Sequence, residues 1–277
     1  MKLATIRKTA GTTQAVRVDG DVAVEITTAS DVGALLADPN WREIAAAADG
    51  ERHPWQGLDL ATVVPSPSKV VCVGLNYRKH ILEMGRELPQ YPTLFAKFAD
   101  TLTGPYDDVT APAEDEQLDW EAELTVVIGE TTRHASAEQA RNAIAGYTVA
   151  NDISMRGYQF RTKEWLQGKM WDRSTPVGPL LVTADEWVPG ATIRAEVNGE
   201  KMQEASTGDL VHDPVELVAY ISTMITLRPG DLILTGTPGG VGHARQPARY
   251  LVPGDVVGTS IDGIGELRNR VISAPGH

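Results

Sequence analysis

The run from Leu118 to Ile128 carries the clearest chemistry in this sequence, because it holds three acids at every second position. Side chains alternate along a strand, so Trp120, Ala122, Leu124 and Val126 share one face while Asp119, Glu121 and Glu123 share the other. Neighbours on that face stand about 7 Å apart. Carboxylates held so close in a partly buried site raise one another's pKa, so a basic side chain, a proton or a cation must neutralise them. A second strand, 146–151, delivers Asp152 at its end. Carboxylate oxygens and waters are what a hard divalent ion such as Mg²⁺ or Mn²⁺ takes. An acidic strand face turned to solvent fits the same pattern, and alternation alone leaves both readings open.

His80 and Glu83 are three apart, which on a helix sets imidazole and carboxylate side by side. A carboxylate on one ring nitrogen raises the basicity of the other, as a general base requires. The plain alternative is a surface pair. Gly74, Gly85, Pro89 and Pro92 bracket the segment, as they would a mobile lid. None of the six histidines belongs to a His-Glu-x-x-His or Cys/His cluster, which argues against zinc. The Gly-rich stretch 235–242 lacks the Gly-Lys-Ser/Thr ending of a phosphate loop, yet such a turn can bring backbone N–H groups and the Thr237 hydroxyl to a carboxylate ligand. No Gly-x-Ser-x-Gly occurs, which disfavours a serine hydrolase of the nucleophile-elbow type.

Strands must position these groups. Alternation over 14–26, with Asp19-Gly20 between its halves, predicts a hairpin with a type I′ turn. Ser30 is the expected cap of a helix through Val32, Leu35 and Leu36, and 41–48 reads as a second. Val64-Pro65-Ser66-Pro67-Ser68 is a stiff connection, and it divides a small N-terminal α+β domain, 1–66, from a larger one, 67–277. Beyond it the expected strands are 69–74, 118–128, 146–151, 179–183, 192–197, 232–234 and 256–261. The expected helices are 78–85, 137–145 capped by Ser136, and 214–226 capped by Asp213. Pro-Gly pairs at 189–190, 229–230 and 253–254 suit type II turns. The fold class is therefore α+β and strand-rich.

The 277 residues carry a net charge of −12, which opposes a nucleic-acid or anionic-membrane partner. Small molecules and metal cations fit better. One cysteine, Cys72, and an N-terminus without an apolar run point to a reducing, cytoplasmic location. No run of about 18 apolar residues predicts a membrane span.

Taken together, these segments resemble the fumarylacetoacetate hydrolase family from about Val70 to Val271. The resemblance rests on Val73 to His80 with Glu83-Met84-Gly85, Asp119 to Leu124 leading to Gly129, and Gly146 to Ser154 with Arg156 and Gln159. Gly168-Lys169 through Pro179, Asn198-Gly199 with Gln203, and Leu227 to Pro238 complete it. It implies a mixed β-sandwich roll, a homodimer, and Mg²⁺ or Mn²⁺ held by Glu121, Glu123 and Asp152. It also implies a His80–Glu83 dyad on a lid that orders with ligand, a catalytic Lys169, and substrate contacts from Arg78, Arg156, Gln159 and Thr237. Gly157, where many relatives have Asp, and Trp171, where Phe is usual, depart from the pattern.

The activity expected from the resemblance is hydrolysis of a 2,4-dioxo acid, such as fumarylpyruvate, to pyruvate and a carboxylic acid. His80 would activate water, and Lys169 with Gln159 would stabilise the oxyanion. The alternative is an isomerase or hydratase of 2-hydroxydienoates, or a decarboxylase of oxaloacetate-like acids, through a shared enolate. A glycosidase using Glu121 and Glu123 is disfavoured by few aromatics, and a non-catalytic metal module would leave His80, Glu83 and Lys169 without purpose.

Overall fold

A computed structural model describes residues 1–274. Its centre is an eleven-stranded sheet. From one edge the order runs Arg52–Pro54, Val22–Glu25, Thr13–Asp19, Lys2–Arg7, Thr175–Thr183, Ile144–Asn151, Ala122–Ile128, Leu232–Leu234, Val70–Gly74 and Thr93–Lys97, with Leu102–Thr103 pairing beside Thr175–Thr183. Most neighbours are antiparallel, but Leu232–Leu234 runs parallel to Val70–Gly74. A five-stranded sheet, Glu200–Ser206, Thr192–Val197, Val256–Ile261, Gly265–Ser273 and Val109–Ala111, packs on one face. The strand-rich α+β class holds.

Ala122–Ile128 is buried along its whole length because both its faces are covered. Leu124 and Val126 join Ile193, Val257 and Ile261 between the sheets. Val127, with Val70, Cys72 and Leu234, packs instead under Val32, Leu35, Leu36 and Trp41 from the N-terminal helices. Each such aliphatic side chain contributes about 1.5–3 kcal/mol by leaving water. Truncating Leu124 to Ala at this depth costs about 2–5 kcal/mol.

The first 66 residues are continuous with this sheet, since Lys2 pairs with Val182 and Leu3 with Leu181. Their hairpin is Thr13–Asp19 with Val22–Glu25, and pairing of Asp19 with Val22 puts Gly20 and Asp21 at its tip. The turn is therefore one residue later than expected. Gly20 has φ +59°, and positive φ at the first centre alone is the type II′ pattern. Asp31, not Ser30, caps Val32–Leu36, its Oδ1 accepting from Ala34 N at 2.8 Å. Ser136 and Asp213 cap Ala137–Ala143 and Pro214–Ser222 in reciprocal boxes with Gln139 and Glu216. The expected strand over 118–128 is broken: Leu118–Asp119 pairs with Ser154–Met155 in a separate ribbon. Glu200–Ser206, too polar to be recognised by alternation, is ordered by a two-residue turn in which Asn198 and Gly199 both have positive φ.

Candidate active site

Glu121 and Glu123 leave the end of one central strand, and Asp152 leaves its antiparallel neighbour directly opposite. Asp152 N donates to Glu121 O at 2.9 Å, and Glu121 N donates to Asn151 Oδ1 at 2.9 Å. One oxygen of each carboxylate lies within 4.8 Å of the others, and all three side chains are buried. That burial excludes the solvated-face reading. Asp119 departs from the cluster because its backbone follows the separate ribbon. Its carboxylate accepts from Arg156 Nε at 2.8 Å, from Gly242 N at 2.6 Å and from His243 N at 2.9 Å, tying the Gly-rich loop to the site.

Three cations face these four carboxylates. Lys169 Nζ lies 2.8 Å from Glu121 Oε2 and 2.9 Å from Asp152 Oδ2. Lys97, unremarked in the sequence, is buried and donates to Asp152 Oδ1. Arg156 Nη1 lies 2.7 Å from both Glu121 Oε1 and Gln159 Oε1. Burial opposes ionisation of Asp152, but Lys169 and Lys97 outweigh it and hold the carboxyl below its usual range. Asp152 and Glu121 likewise outweigh burial at Lys169, whose pKa is raised. Among the described residues Glu123 has no ion-pair partner and accepts one hydrogen bond, from Gly236 N at 2.7 Å. Burial, then the charges of Asp152 and Glu121, push its carboxyl well above the ordinary range. Asp119, Glu121 and Asp152 are matched by Arg156, Lys169 and Lys97, so Glu123 is the carboxyl left for a proton or a further cation to neutralise. A donor set of carboxylate oxygens fits a hard divalent cation.

The Gly-rich stretch acts on the protein itself. Gly236, at φ +98°, turns its N–H to Glu123, so the carboxylate served by this turn is a side chain of the site. Gln203 holds Thr237, its Nε2 donating to Thr237 Oγ1 at 2.8 Å, while its Oε1 accepts from Ala122 N at 3.0 Å. A Cβ at Gly239 would stand 2.8 Å from His80 Nδ1, so glycine there lets the imidazole approach.

Above the charges lies a cavity of about 410 Å³. Glu121, Glu123, Arg156, Gln159 and Lys169 form its polar lining, with Val73, Phe95, Trp165 and Val241 as apolar walls. His80, Arg86, Thr237 and His243 also line it. Trp165 belongs to this wall: it meets Phe95 edge-on at 5.7 Å and lies on Gly74, where a Cβ would be 2.2 Å from the indole.

Residues 69–272 match the fumarylacetoacetate (FAA) hydrolase C-terminal family. The chain belongs to the fumarylacetoacetate hydrolase family. It is 42% identical over 232 residues to human mitochondrial oxaloacetate tautomerase FAHD2B, covering 82% of this chain and 74% of that one. Two solved structures are similar over almost their whole length. The 5-carboxymethyl-2-hydroxymuconate delta-isomerase of Mycobacterium smegmatis has TM-score 0.83 and 33% identity, covering 100% of both chains. A fumarylacetoacetate hydrolase from Exiguobacterium antarcticum has TM-score 0.89 and 32% identity, covering 99% of this chain and 100% of that one.

Against the expectations that the family raises, the structure gathers Glu121, Glu123, Lys169, Arg156, Gln159, Thr237 and His80 around one cavity, with Asp152 beside the two glutamates. It does not bring Arg78 or Glu83 there. Arg78 is exposed at the start of Arg78–Glu83, where its N–H donates to Asp209 O at 2.9 Å. Glu83 is 60% exposed and lies 4.0 Å from Lys79, because a six-residue helix turns positions 79 and 83 to solvent when Ile81 is buried. The expected His80–Glu83 hydrogen bond is therefore not made in this conformation. At Gly157 a Cβ would stand 2.7 Å from Asp115 Oδ1, and Asp115 Oδ2 accepts from Tyr158 N at 3.0 Å. A carboxylate from a preceding loop thus occupies the space beside Arg156–Gln159 that an Asp side chain at position 157 would need. Trp171 packs edge-on against Tyr158 at 5.0 Å, away from this cavity. Among the described residues no helix is long and apolar enough to cross a membrane.

Proposed function

We propose that this chain is a divalent-metal-dependent enzyme that moves a proton at the carbon next to a 2-oxo acid's carbonyl, interconverting keto and enol forms of an acid such as oxaloacetate. The observation that carries this reading is His80, the one of the cavity's two imidazoles that is not held by a side-chain partner among the described residues, on an apolar-walled cavity with a buried floor of carboxylates and cations, whereas His243 has its Nδ1 2.9 Å from the Tyr250 hydroxyl. Burial lowers the pKa of His80 and the nearby Arg86 charge adds to this, leaving the ring neutral and able to accept a proton near pH 7.

Glu121, Glu123 and Asp152 would hold the cation, Mg²⁺ or Mn²⁺, which would supply Lewis acidity when bound. His80 takes the proton from carbon 3, and the charge passes to the 2-oxo oxygen. Lys169 and Arg156 keep their protons and offset that charge. Phe95 and Trp165 keep water from the carbanionic carbon. Solvent then donates a proton to the oxygen to give the enol, and His80 returns its proton to solvent.

Hydrolysis of an acylpyruvate demands more: a water held by an oriented base. Glu83 does not orient His80 here, and the human relative is a tautomerase, so the proton-transfer reading is preferred over fumarylpyruvate hydrolysis. Oxaloacetate and fumarylpyruvate should be assayed in parallel with Mn²⁺, with EDTA and Glu123→Ala as controls. Faster decay of the enol absorbance of oxaloacetate, abolished by both controls, is expected. Release of fumarate and pyruvate from fumarylpyruvate, without that effect, would restore the hydrolase; carbon dioxide release would point to a decarboxylase. The homodimer belongs to the same proposal and is read by light scattering. The relative is mitochondrial, and the free, buried Cys72 fits either that compartment or the cytoplasm.

A further inference from the structure

One basic side chain of the cavity makes no contact with the substrate in the reaction above. Resting on that reading, we propose that Arg86 is a specificity-determining residue which pairs with the far carboxylate of a dicarboxylic 2-oxo acid. Of the three cations at the floor, the two that line the cavity, Arg156 and Lys169, are already engaged. Arg156 is bonded to Asp119, Glu121 and Gln159, and Lys169 to Glu121 and Asp152. His243 has its Nδ1 2.9 Å from the Tyr250 hydroxyl, and its ring lies against Phe160. Arg86 lines the same cavity, and its guanidinium has neither an ion pair nor a hydrogen bond among the described residues.

The backbone places it. Gly85, at φ +68°, ends Arg78–Glu83 in a Schellman motif: Gly85 N donates to Leu82 O at 2.9 Å and Arg86 N to Ile81 O at 3.2 Å. Arg86 is thereby tied to the helix that carries His80. An acid whose 2-oxo head reaches the carboxylates and cations of the floor presents its second carboxylate toward the mouth. There a guanidinium offers the paired N–H groups that a carboxylate accepts.

Two probes of equal length, neither of which is consumed by keto–enol exchange, isolate the effect: 2-oxoglutarate, with a far carboxylate, and 2-oxopentanoate, without one. Calorimetric titration into Mn²⁺-loaded protein should show the diacid binding on the order of tenfold more tightly. Arg86→Gln should remove most of that difference by weakening the diacid alone, and Arg86→Lys should keep part of it. Arg86 is exposed, so both variants should keep the wild-type thermal midpoint. Equal weakening of both probes by Arg86→Gln, or no weakening of either, overturns the assignment of Arg86. If wild-type protein binds neither probe, the 2-oxo acid reading fails first and this inference with it.

Discussion

Glu123 concentrates the conflict between stability and binding in this site. It is a fully buried carboxylate with one backbone donor and two acidic neighbours, so it costs the folded protein free energy until a cation arrives. Replacing it with Gln keeps the shape and removes the charge. Glu123→Gln is expected to weaken Mn²⁺ binding by at least about a hundredfold in calorimetry. The same change should raise the metal-free melting point at pH 8 by about 2 °C, the equivalent of ~1 kcal/mol in a chain of this size. Wild-type Mn²⁺ affinity in this variant would remove Glu123 from the ligand set. At His80 the sign runs the other way. A base must be neutral to work, and burial with Arg86 lowers this imidazole's pKa, against the pull of Glu83 and Glu121. Activity should therefore persist below pH 6.5 before its acid limb falls, and His80→Gln should slow turnover by about 10²–10⁴-fold. A limb above pH 6.5 in the wild-type profile would show that another group is the base.

The helix Arg78–Glu83 has six residues and cannot stand alone. What holds it is tertiary: Arg78 N on Asp209 O, Lys79 N on Asp209 Oδ2, burial of Ile81, and the left-handed Gly85 that closes it. A Cβ at Gly85 would meet no atom, so Gly85→Ala should act through φ alone, at about 1 kcal/mol. Because the strain is local, amide exchange in 78–86 should accelerate while the global melting point changes little. KM should rise with it, as His80 and Arg86 lose their shared support. Unchanged exchange in this segment would mean that the helix end is not what positions them. Spacing made His80 and Glu83 neighbours on a helix, and they are on one; which way that helix faces depends on Ile81 and on Asp209, over a hundred residues away.

On the scale of the whole molecule, the connection at 64–68 is a junction in sequence but not in the sheet. Lys2–Arg7 extends the hydrogen bonding of Thr175–Thr183, and the N-terminal helices cover Val70, Cys72, Val127 and Leu234. The strands that carry the carboxylates therefore depend on the first 66 residues for one of their two covered faces. Urea unfolding followed by tryptophan fluorescence and by far-ultraviolet circular dichroism should give coincident transitions. A chain lacking residues 1–66 should fail to give a folded, soluble product. Two separated transitions would show that the parts fold independently.

Alternation along 118–128 placed Glu121 and Glu123 on one side of a strand, short-range pattern located the caps at Ser136 and Asp213, and the resemblance of ordered segments to one family named it along with most of the residues that line the cavity. These are local properties, set by backbone period and by groups a few residues apart. Other features depended on chain segments meeting across the fold. Lys97 is charged and ends a strand that alternation did not reveal, yet the neighbouring sheet order buries it against Asp152. Asp119 leaves the acidic face because its pairing switches to Ser154–Met155, and Arg86 reaches the cavity because the helix before it is docked elsewhere. Burial and partner are sums over distant contacts, and only the tertiary structure could decide which charges are neutralised and which wait for a ligand.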